Sequence, residues 1–282
     1  MKTLYITDLD GTFLNSDAQV SARSAAIVSE LSRRGALISV ATARTPATVE
    51  PLLADTYTGA DLVVMTGAAL WNRPAHRYDD LRLLSARETG IIVDAMRRHG
   101  INLFAYVAQP DGFIQVYHPG ARLTEAESRF VALRRNLQLK HFNLGTPLPA
   151  ADHKSTILFF GMGDYGSITA LAGELRELTD CYVSYYKDIY LPDLWLLEVF
   201  ARGVSKAEGV RRLRDRLGVE RVVAFGDNLN DIPMLRVADV AVAVDNALPE
   251  TKAAADVIIG PNTADSVALY IEEDFKRQDL RQ

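Results

Sequence analysis

Cysteine is nearly absent from this 282-residue chain: Cys181 stands alone, so no internal disulfide can form, and a reducing compartment suits the protein. Long hydrophobic runs are missing too, and none approaches the roughly twenty apolar residues that a membrane-spanning helix needs. The opening Met1-Lys2-Thr3-Leu4-Tyr5-Ile6 meets Asp8 too early to form the apolar core of a signal peptide. Positive charge is not in excess. Thirty-one lysines and arginines against 36 acids give a net charge of -5, which argues against nucleic acid as the main partner. The basic runs Met96-Arg97-Arg98-His99 and Arg211-Arg212-Leu213-Arg214 fall inside helical patterns and read as solvated faces. The five histidines, His76, His99, His118, His141 and His153, show no paired zinc spacing, although His118 and His153 are weak candidates for substrate contact. No internal repeat or low-complexity tract occurs. What is left is a globular composition, 48% hydrophobic and 24% charged, long enough for two domains and expected to be soluble and cytoplasmic.

The chain opens with a short apolar strand, Leu4 to Ile6, that runs into Thr7-Asp8-Leu9-Asp10-Gly11-Thr12. If the backbone stays extended, Asp8 and Asp10 share one side. Their like charges then raise each other's pKa unless a cation lies between them. An Asp-rich turn is the plain alternative. A calcium loop is excluded, because the glycine comes at the fourth position and Gln19 stands where the twelfth-position Glu belongs. Strand and helix then alternate: a helix from Ser21 to Arg34 closed by Gly35, a strand from Ala36 to Ala41, and Thr42-Ala43-Arg44 just beyond it. Thr45-Pro46 opens a helix that Pro51 leaves short or kinked, and Leu62 to Met65 is a third strand.

The pattern changes near Leu83. Ser85 with Glu88 and Thr124 with Glu127 form capping boxes for helices through His99 and to about Leu137. Between them, runs from Asn102 to Ala108 and Phe113 to His118 read as a hairpin about Gln109-Pro110-Asp111-Gly112. A strand from Thr156 to Phe160, a helix from Ser167 to Leu178 and a strand from Tyr182 to Tyr186 follow. Alternation resumes with strands Val222 to Phe225, Val240 to Val244 and Val257 to Ile259, and helices Ile232 to Ala238, Pro249 to Ala255 and Ala264 to Glu273. The expected architecture is α/β: a doubly wound, mostly parallel Rossmann-like core, residues 1–82 and 198–282, interrupted by an α+β insert, residues 83–197. Ligands of such sheets gather at the carboxyl ends of the strands, where Asp8, Asp10 and Thr42 fall.

A second acidic group, Gly226-Asp227-Asn228-Leu229-Asn230-Asp231, also follows a strand. Asp231 suits a helix cap, with Pro233 just inside, but a cap explains only one of the carboxylates. Asp8, Asp10 and Asp227 at neighbouring strand ends would offer hard oxygen ligands for Mg²⁺. Ser205 and Glu208 fix a helix start that places Lys206 in the first turn, where the helix dipole disfavours a cation. That lysine either serves the site or reaches into solvent at small cost. Gly161-Met162-Gly163-Asp164-Tyr165-Gly166 matches the dinucleotide-binding pattern but lies in the insert, away from parallel alternation, and reads better as a glycine-rich turn.

Together, DLDGT at Asp8 to Thr12, Thr42 with Arg44, Gly203-Val204-Ser205-Lys206 and GDNLND with Met234-Leu235 resemble the haloacid dehalogenase superfamily of phosphohydrolases, in its Cof-type sugar-phosphatase branch with a large inserted cap. The resemblance covers the whole chain. It implies Asp8 as nucleophile, Asp10 as acid and then base, and a cap that closes over the substrate. It further implies phosphate or substrate binding by Thr42, Ala43, Arg44, Lys206 and Asn230, and Mg²⁺ held by Asp8, Asp227 and the Asp10 carbonyl with Asp231 in support. Phosphoryl transfer asks mainly for positioning and for cations near the equatorial oxygens, which suits these residue types. Four places depart from the family pattern: Ala43 for glycine, Thr66-Gly67-Ala68 for Asn-Gly-Ala, Ala207 for glycine after the lysine, and Asp245-Asn246-Ala247 for Gly-Asn-Ala. The implied partner is a small phosphorylated metabolite, with no nucleic acid and no membrane; the oligomeric state is not legible. His118, Arg122, Tyr185, Tyr186, Lys187 and Trp195 could line a cleft in the cap, though packing suits each of them as well. A phosphosugar mutase on the same core and a non-catalytic phosphometabolite sensor are the competing functions.

Overall fold

The computed structural model describes residues 1–188, 191 and 193–280, and the chain divides into two compact units, Met1–Asp80 with Ser205–Gln282 and Leu81–Val204. In chain order the first begins with β1 (Thr3–Thr7), α1 (Ala22–Arg33), β2 (Leu37–Val40), a short α2 (Pro46–Val49) and β3 (Leu62–Val64). Ser21 caps α1 by accepting the Ser24 amide, and Pro46 occupies the first turn of α2, where no amide proton is needed. The sequence reading missed β4 (Ala69–Asn72) and β5 (Arg77–Leu81), which pair with β3 as a three-stranded ribbon. β5 reads Arg-Tyr-Asp-Asp-Leu, too polar to give a strand signal. It is held by ion pairs from a helix more than 130 residues further on, Arg212 to Asp80 among them.

The inserted unit carries α3 (Ala86–His99), β6 (Phe104–Ala108), β7 (Ile114–His118), α4 (Glu125–Ala132), β8 (Lys140–Leu144), β9 (Thr156–Gly163), α5 (Tyr165–Leu178), β10 (Tyr182–Lys187) and β11 (Trp195–Phe200). Both capping boxes form, and Gly100 closes α3 in the left-handed conformation that its missing Cβ permits. Helix α4 ends at Ala132 and not near Leu137, and β8 was not foreseen. The strands make one sheet in the order β10-β11-β9-β6-β7-β8. Gly161 and Gly163 lie inside β9, paired with Leu197 and Trp195, so the glycine motif is strand, with Asp164 capping α5. His118 is fully buried, its Nε2 3.1 Å from Glu127 Oε1, which makes it a packing residue. His153 lies in a 3₁₀ turn, where its carbonyl accepts the Thr89 hydroxyl.

The chain returns through α6 (Lys206–Leu217), β12 (Arg221–Gly226), α7 (Ile232–Leu235), β13 (Val240–Val244), α8 (Pro249–Ala253), β14 (Val257–Ile259) and α9 (Ser266–Asp279). The central sheet runs β14-β13-β12-β1-β2, every pairing parallel, so the α/β architecture with a separate, mostly antiparallel insert is the one observed. Leu4, Ile6, Val222 and Ala224 point to one face and pack with Val210 and Leu213 of α6 and Met234 and Leu235 of α7. On the other face Phe225 meets Tyr270 of α9 edge to face, at 5.5 Å between centroids. Period-two burial on both faces turns these strands into the near-continuous apolar runs seen in the sequence.

The second face is tied by Asp274 of α9, which accepts hydrogen bonds from Tyr5 Oη (2.7 Å), Gln278 Nε2 (2.7 Å) and Arg221 Nη1 (2.6 Å). Burial pushes the Asp274 carboxyl up, but the bonds from Arg221 and Tyr5 outweigh it and hold the group below the usual carboxylate range. A depressed folded pKa stabilises above the unfolded value of about 3.9, and that stability is lost as pH falls through the folded value. Asp274→Asn is therefore expected to cost about 3 kcal/mol at pH 7, the scale for breaking a buried ion pair. The gap to the parent should close below about pH 4. Urea unfolding at pH 7 and pH 3 checks it; an unchanged gap at both would refute the role.

Candidate active site

Parallel pairing brings the acidic segments together. Thr7 of β1 stands beside Phe225 of β12, and the Asp8 amide donates to the Phe225 carbonyl at 3.0 Å. Both chains leave the sheet at that edge, one into Asp8 and the other into Asp227. On the far side of β1 the Ala41 amide donates to the Thr7 carbonyl at 2.8 Å, which delivers Thr42 to the same rim. The extended form does not persist unbroken past Asp8. Leu9–Phe13 is a tight helical turn with Gly11 at φ +80°, so the Asp8 and Asp10 side chains take different partners. A Cβ on Gly11 would lie 2.4 Å from Asp227 Oδ2; glycine is what allows the turn to lie against that carboxylate.

Lys206 is 3% exposed and does not reach solvent. Its Nζ donates to Asp8 Oδ1 at 2.5 Å and to Asp231 Oδ1 at 2.7 Å. The start of α6 gets there because Gly67, at φ +91°, lets the loop after β3 pack on it: a Cβ there would sit 2.1 Å from the Ser205 carbonyl oxygen. Ser205 accepts the Glu208 amide and fixes the first turn. The buried carboxylates offset the unfavourable dipole at this position, since charges in a poorly solvated site interact far more strongly than in water.

Asp231 does not cap α7. Its Oδ2 reaches back to accept the Asp227 and Asn228 amides, each at 3.1 Å, while Asn228 caps the 3₁₀ turn Leu229–Asp231. Asp227 Oδ1 accepts the Thr12 hydroxyl at 2.7 Å. One oxygen from each of Asp8, Asp227 and Asp231 lies within 4.8 Å of the others. Burial raises Asp8 to about 7; Lys206 pulls it down while Asp231 and Asp227 push it further up. Burial and Asp231 also raise Asp227, against the Thr12 bond. For Lys206 burial works against the charge, but Asp8 and Asp231 overcome it and hold the ammonium above its usual range. Three carboxylates thus face one ammonium, and the surplus negative charge fits a small divalent cation with oxygen ligands.

Asp10 is not in that cluster. Its carboxylate is paired with Arg44, whose Nε and Nη2 lie 2.7 and 2.5 Å from Oδ2 and Oδ1, and the side chain is half exposed. Thr42 is buried and accepts the Arg44 amide at 3.2 Å, whereas Ala43 is exposed. Asn230 is exposed on its turn. Two supports escaped the sequence reading. Thr12 fixes Asp227, and Asn246, after β13, donates to the Gly11 carbonyl at 2.7 Å and accepts the Asn262 amide. Asn246 falls in the segment noted for replacing Gly-Asn-Ala, which was the one available signal.

A doubly wound parallel sheet with an inserted α+β unit and three carboxylates gathered at adjacent strand ends define a Rossmann-like protein whose acidic rim suits a divalent cation. The family model for haloacid dehalogenase-like hydrolases matches residues 5–271. A Bacillus subtilis protein named 5-amino-6-(5-phospho-D-ribitylamino)uracil phosphatase is 24% identical over 270 residues, covering 95% of this chain and 94% of its own. A haloacid dehalogenase-like hydrolase from Bacteroides thetaiotaomicron superposes with a TM-score of 0.77 at 22% identity, over 97% of this chain and 100% of its own. A solved HAD subclass IIB sugar phosphatase gives 0.69 at 18% identity, over 97% and 99%. The chain belongs to the haloacid dehalogenase-like hydrolase family, and within it is an enzyme of the phosphatase type. Among the described residues no helix is long and apolar enough to cross a membrane.

Proposed function

We propose that this protein is a cytoplasmic, Mg²⁺-dependent phosphatase for small phosphorylated metabolites, sugar phosphates foremost, acting through an aspartyl phosphate. The observation that carries the reading is Lys206 bridging Asp8 and Asp231 beside Asp227, four side chains from three separate segments at one end of one sheet. The relative whose name includes a phosphorylated ribityl chain supports a substrate with a phosphorylated polyol portion. Residues 83–197 as a cap domain belong to the same proposal.

Lys206 takes Asp8 Oδ1, so Oδ2 is the oxygen for attack on phosphorus. As that bond forms, the ester P–O bond breaks and Asp10 delivers a proton to the leaving oxygen. Asp10 then takes a proton from water, whose oxygen attacks the acyl phosphate and returns Asp8 as a carboxylate. Thr42 and the Ala43 and Arg44 segment hold the phosphoryl oxygens, with Asn230 at the rim, and Lys206 offsets their charge. Mg²⁺, when held by Asp8, Asp227 and the Asp10 carbonyl with Asp231 behind, supplies positive charge beside the phosphoryl group.

A phosphate-release panel of sugar phosphates, nucleotides and phosphorylated cofactors, run with Mg²⁺ and with EDTA, tests this. Release from small phosphorylated sugars that stops on chelation is expected. Undiminished release in EDTA would remove the metal from the proposal. Isomerised phosphosugar without free phosphate would make the protein a mutase, and binding without release would make it a sensor.

A further inference from the structure

Among the described residues, the inserted unit holds an almost fully buried lysine with no acid paired to it. Lys140 opens β8 and is 5% exposed, with its ammonium 5.1 Å from the Tyr106 ring centroid and 6.0 Å from that of Phe142. Among the described residues it has no hydrogen-bond or ion-pair partner. The register explains the grouping. Tyr106 stands opposite Val116, Val116 opposite Phe142, and Lys140 opposite Ile114, so all of these share one face of the sheet. Tyr106 is itself only 3% exposed, and among the described residues its hydroxyl has no hydrogen-bond partner either.

The charge acting on Lys140 is a second cation. Arg134, in the turn after α4, lies 4.1 Å over the Phe130 ring. Burial first, and Arg134 second, hold Lys140 far below the usual lysine range, at about 7. Glu198 is on the same face, but burial pushes its carboxyl up to about 7 and its hydrogen bond runs to Tyr186. Desolvating most of an ammonium without an ionic partner is unfavourable, two aromatic rings offset only part of it, and a methionine would fill this space without that cost. Lys140 and the Tyr106 hydroxyl on one face of the sheet, with the half-buried Arg134, which also donates to the Phe130 carbonyl, close enough to act on both, are the donor set for an anion.

We propose that Lys140, Tyr106 and Arg134 form an anion-binding subsite within the inserted unit, taking a carboxylate or phosphate group. The group is either a second anionic substituent of the substrate or a separate small anion; only the former rests on the phosphatase reading. Calorimetric titration of malonate and of inorganic phosphate into the intact, metal-free protein tests the subsite itself. The parent should bind malonate, and Lys140→Met should weaken that binding tenfold or more while melting no lower than the parent. Tyr106→Phe should weaken it a few-fold. Malonate binding unchanged in both variants, or absent in the parent, overturns the proposal, and Arg134→Met provides the same comparison if Lys140→Met fails to fold. Kinetics then identify the source. If the anion comes with the substrate, Lys140→Met raises KM about tenfold for phosphate esters bearing a second phosphate or carboxylate, with kcat and p-nitrophenyl phosphate turnover unchanged. If it comes separately, all esters behave alike and only malonate binding is lost. A protein with no phosphatase activity that still binds malonate through Lys140 would sink the enzyme reading and leave the subsite standing.

Discussion

Asp8→Asn should abolish turnover of every phosphate ester the parent hydrolyses, by a factor on the order of 10⁴ or more, the scale seen when a covalent nucleophile is removed. The substitution is nearly isosteric, so the turn at Leu9–Phe13 and the bond from the Asp8 amide to Phe225 should remain. The loss would be in kcat, because an amide cannot form the acyl phosphate. The folded protein should not become less stable. Burial and two neighbouring carboxylates already oppose the Asp8 charge, so removing it relieves repulsion while Lys206 keeps Asp231. Inactivity with an equal or higher melting temperature is the expected pair of results. Steady-state phosphate release and thermal unfolding of the same preparation measure both. Parental turnover by purified Asp8→Asn would show that Asp8 is not the nucleophile.

Lys206→Met should act on both activity and stability, and this separates it from the first case. Lys206 and the carboxylates it holds are almost entirely shielded, with side-chain exposures of 2% and 8% for the Asp8 pair and 2% and 0% for the Asp231 pair. Removing one partner of a buried ion pair leaves the other uncompensated and typically costs about 3–5 kcal/mol. Here Asp8, Asp227 and Asp231 would face one another without the ammonium. Activity should fall about 10²–10³-fold, the scale for losing one preorganised donor to a developing charge. Mg²⁺ should recover part of the lost stability and little of the lost rate, since a cation that binds only the folded form stabilises it by mass action. Denaturant unfolding with and without Mg²⁺, alongside kcat, checks each part. A variant as stable as the parent in EDTA would mean that Lys206 is not what balances the buried carboxylates.

The two acidic groups differ in how they could be read. Asp8 and Asp10 stand out in sequence only as a pair of carboxylates after an apolar strand, where an Asp-rich turn is the plain alternative, and the family resemblance alone gives Asp8 a role of its own. Asp10, two residues away, looks the same in sequence, yet Gly11 turns the chain and Arg44 takes its carboxylate at the surface. Asp231 looked like the cap of α7, because Asp before Ile-Pro fits that pattern. The structure turns its side chain backward onto the Asp227 and Asn228 amides and the Lys206 ammonium. No helix-cap rule distinguishes those outcomes, since both satisfy one carboxylate locally.

By itself the sequence determined the parallel α/β core and the capped helices of the insert, because apolar periodicity, capping boxes and turn residues act over a few neighbouring positions. The hydrolase family was legible only as a resemblance carried by the motifs at Asp8, Thr42, Lys206 and Asp227. Only the tertiary structure decided that β5 is a strand, that His118 is packing and that Lys206 is buried between two carboxylates. Those outcomes depend on contacts such as the one joining Lys206 to Asp8 across 198 residues, where the energy comes from burial and charge at a meeting point that no local stretch of chain encodes.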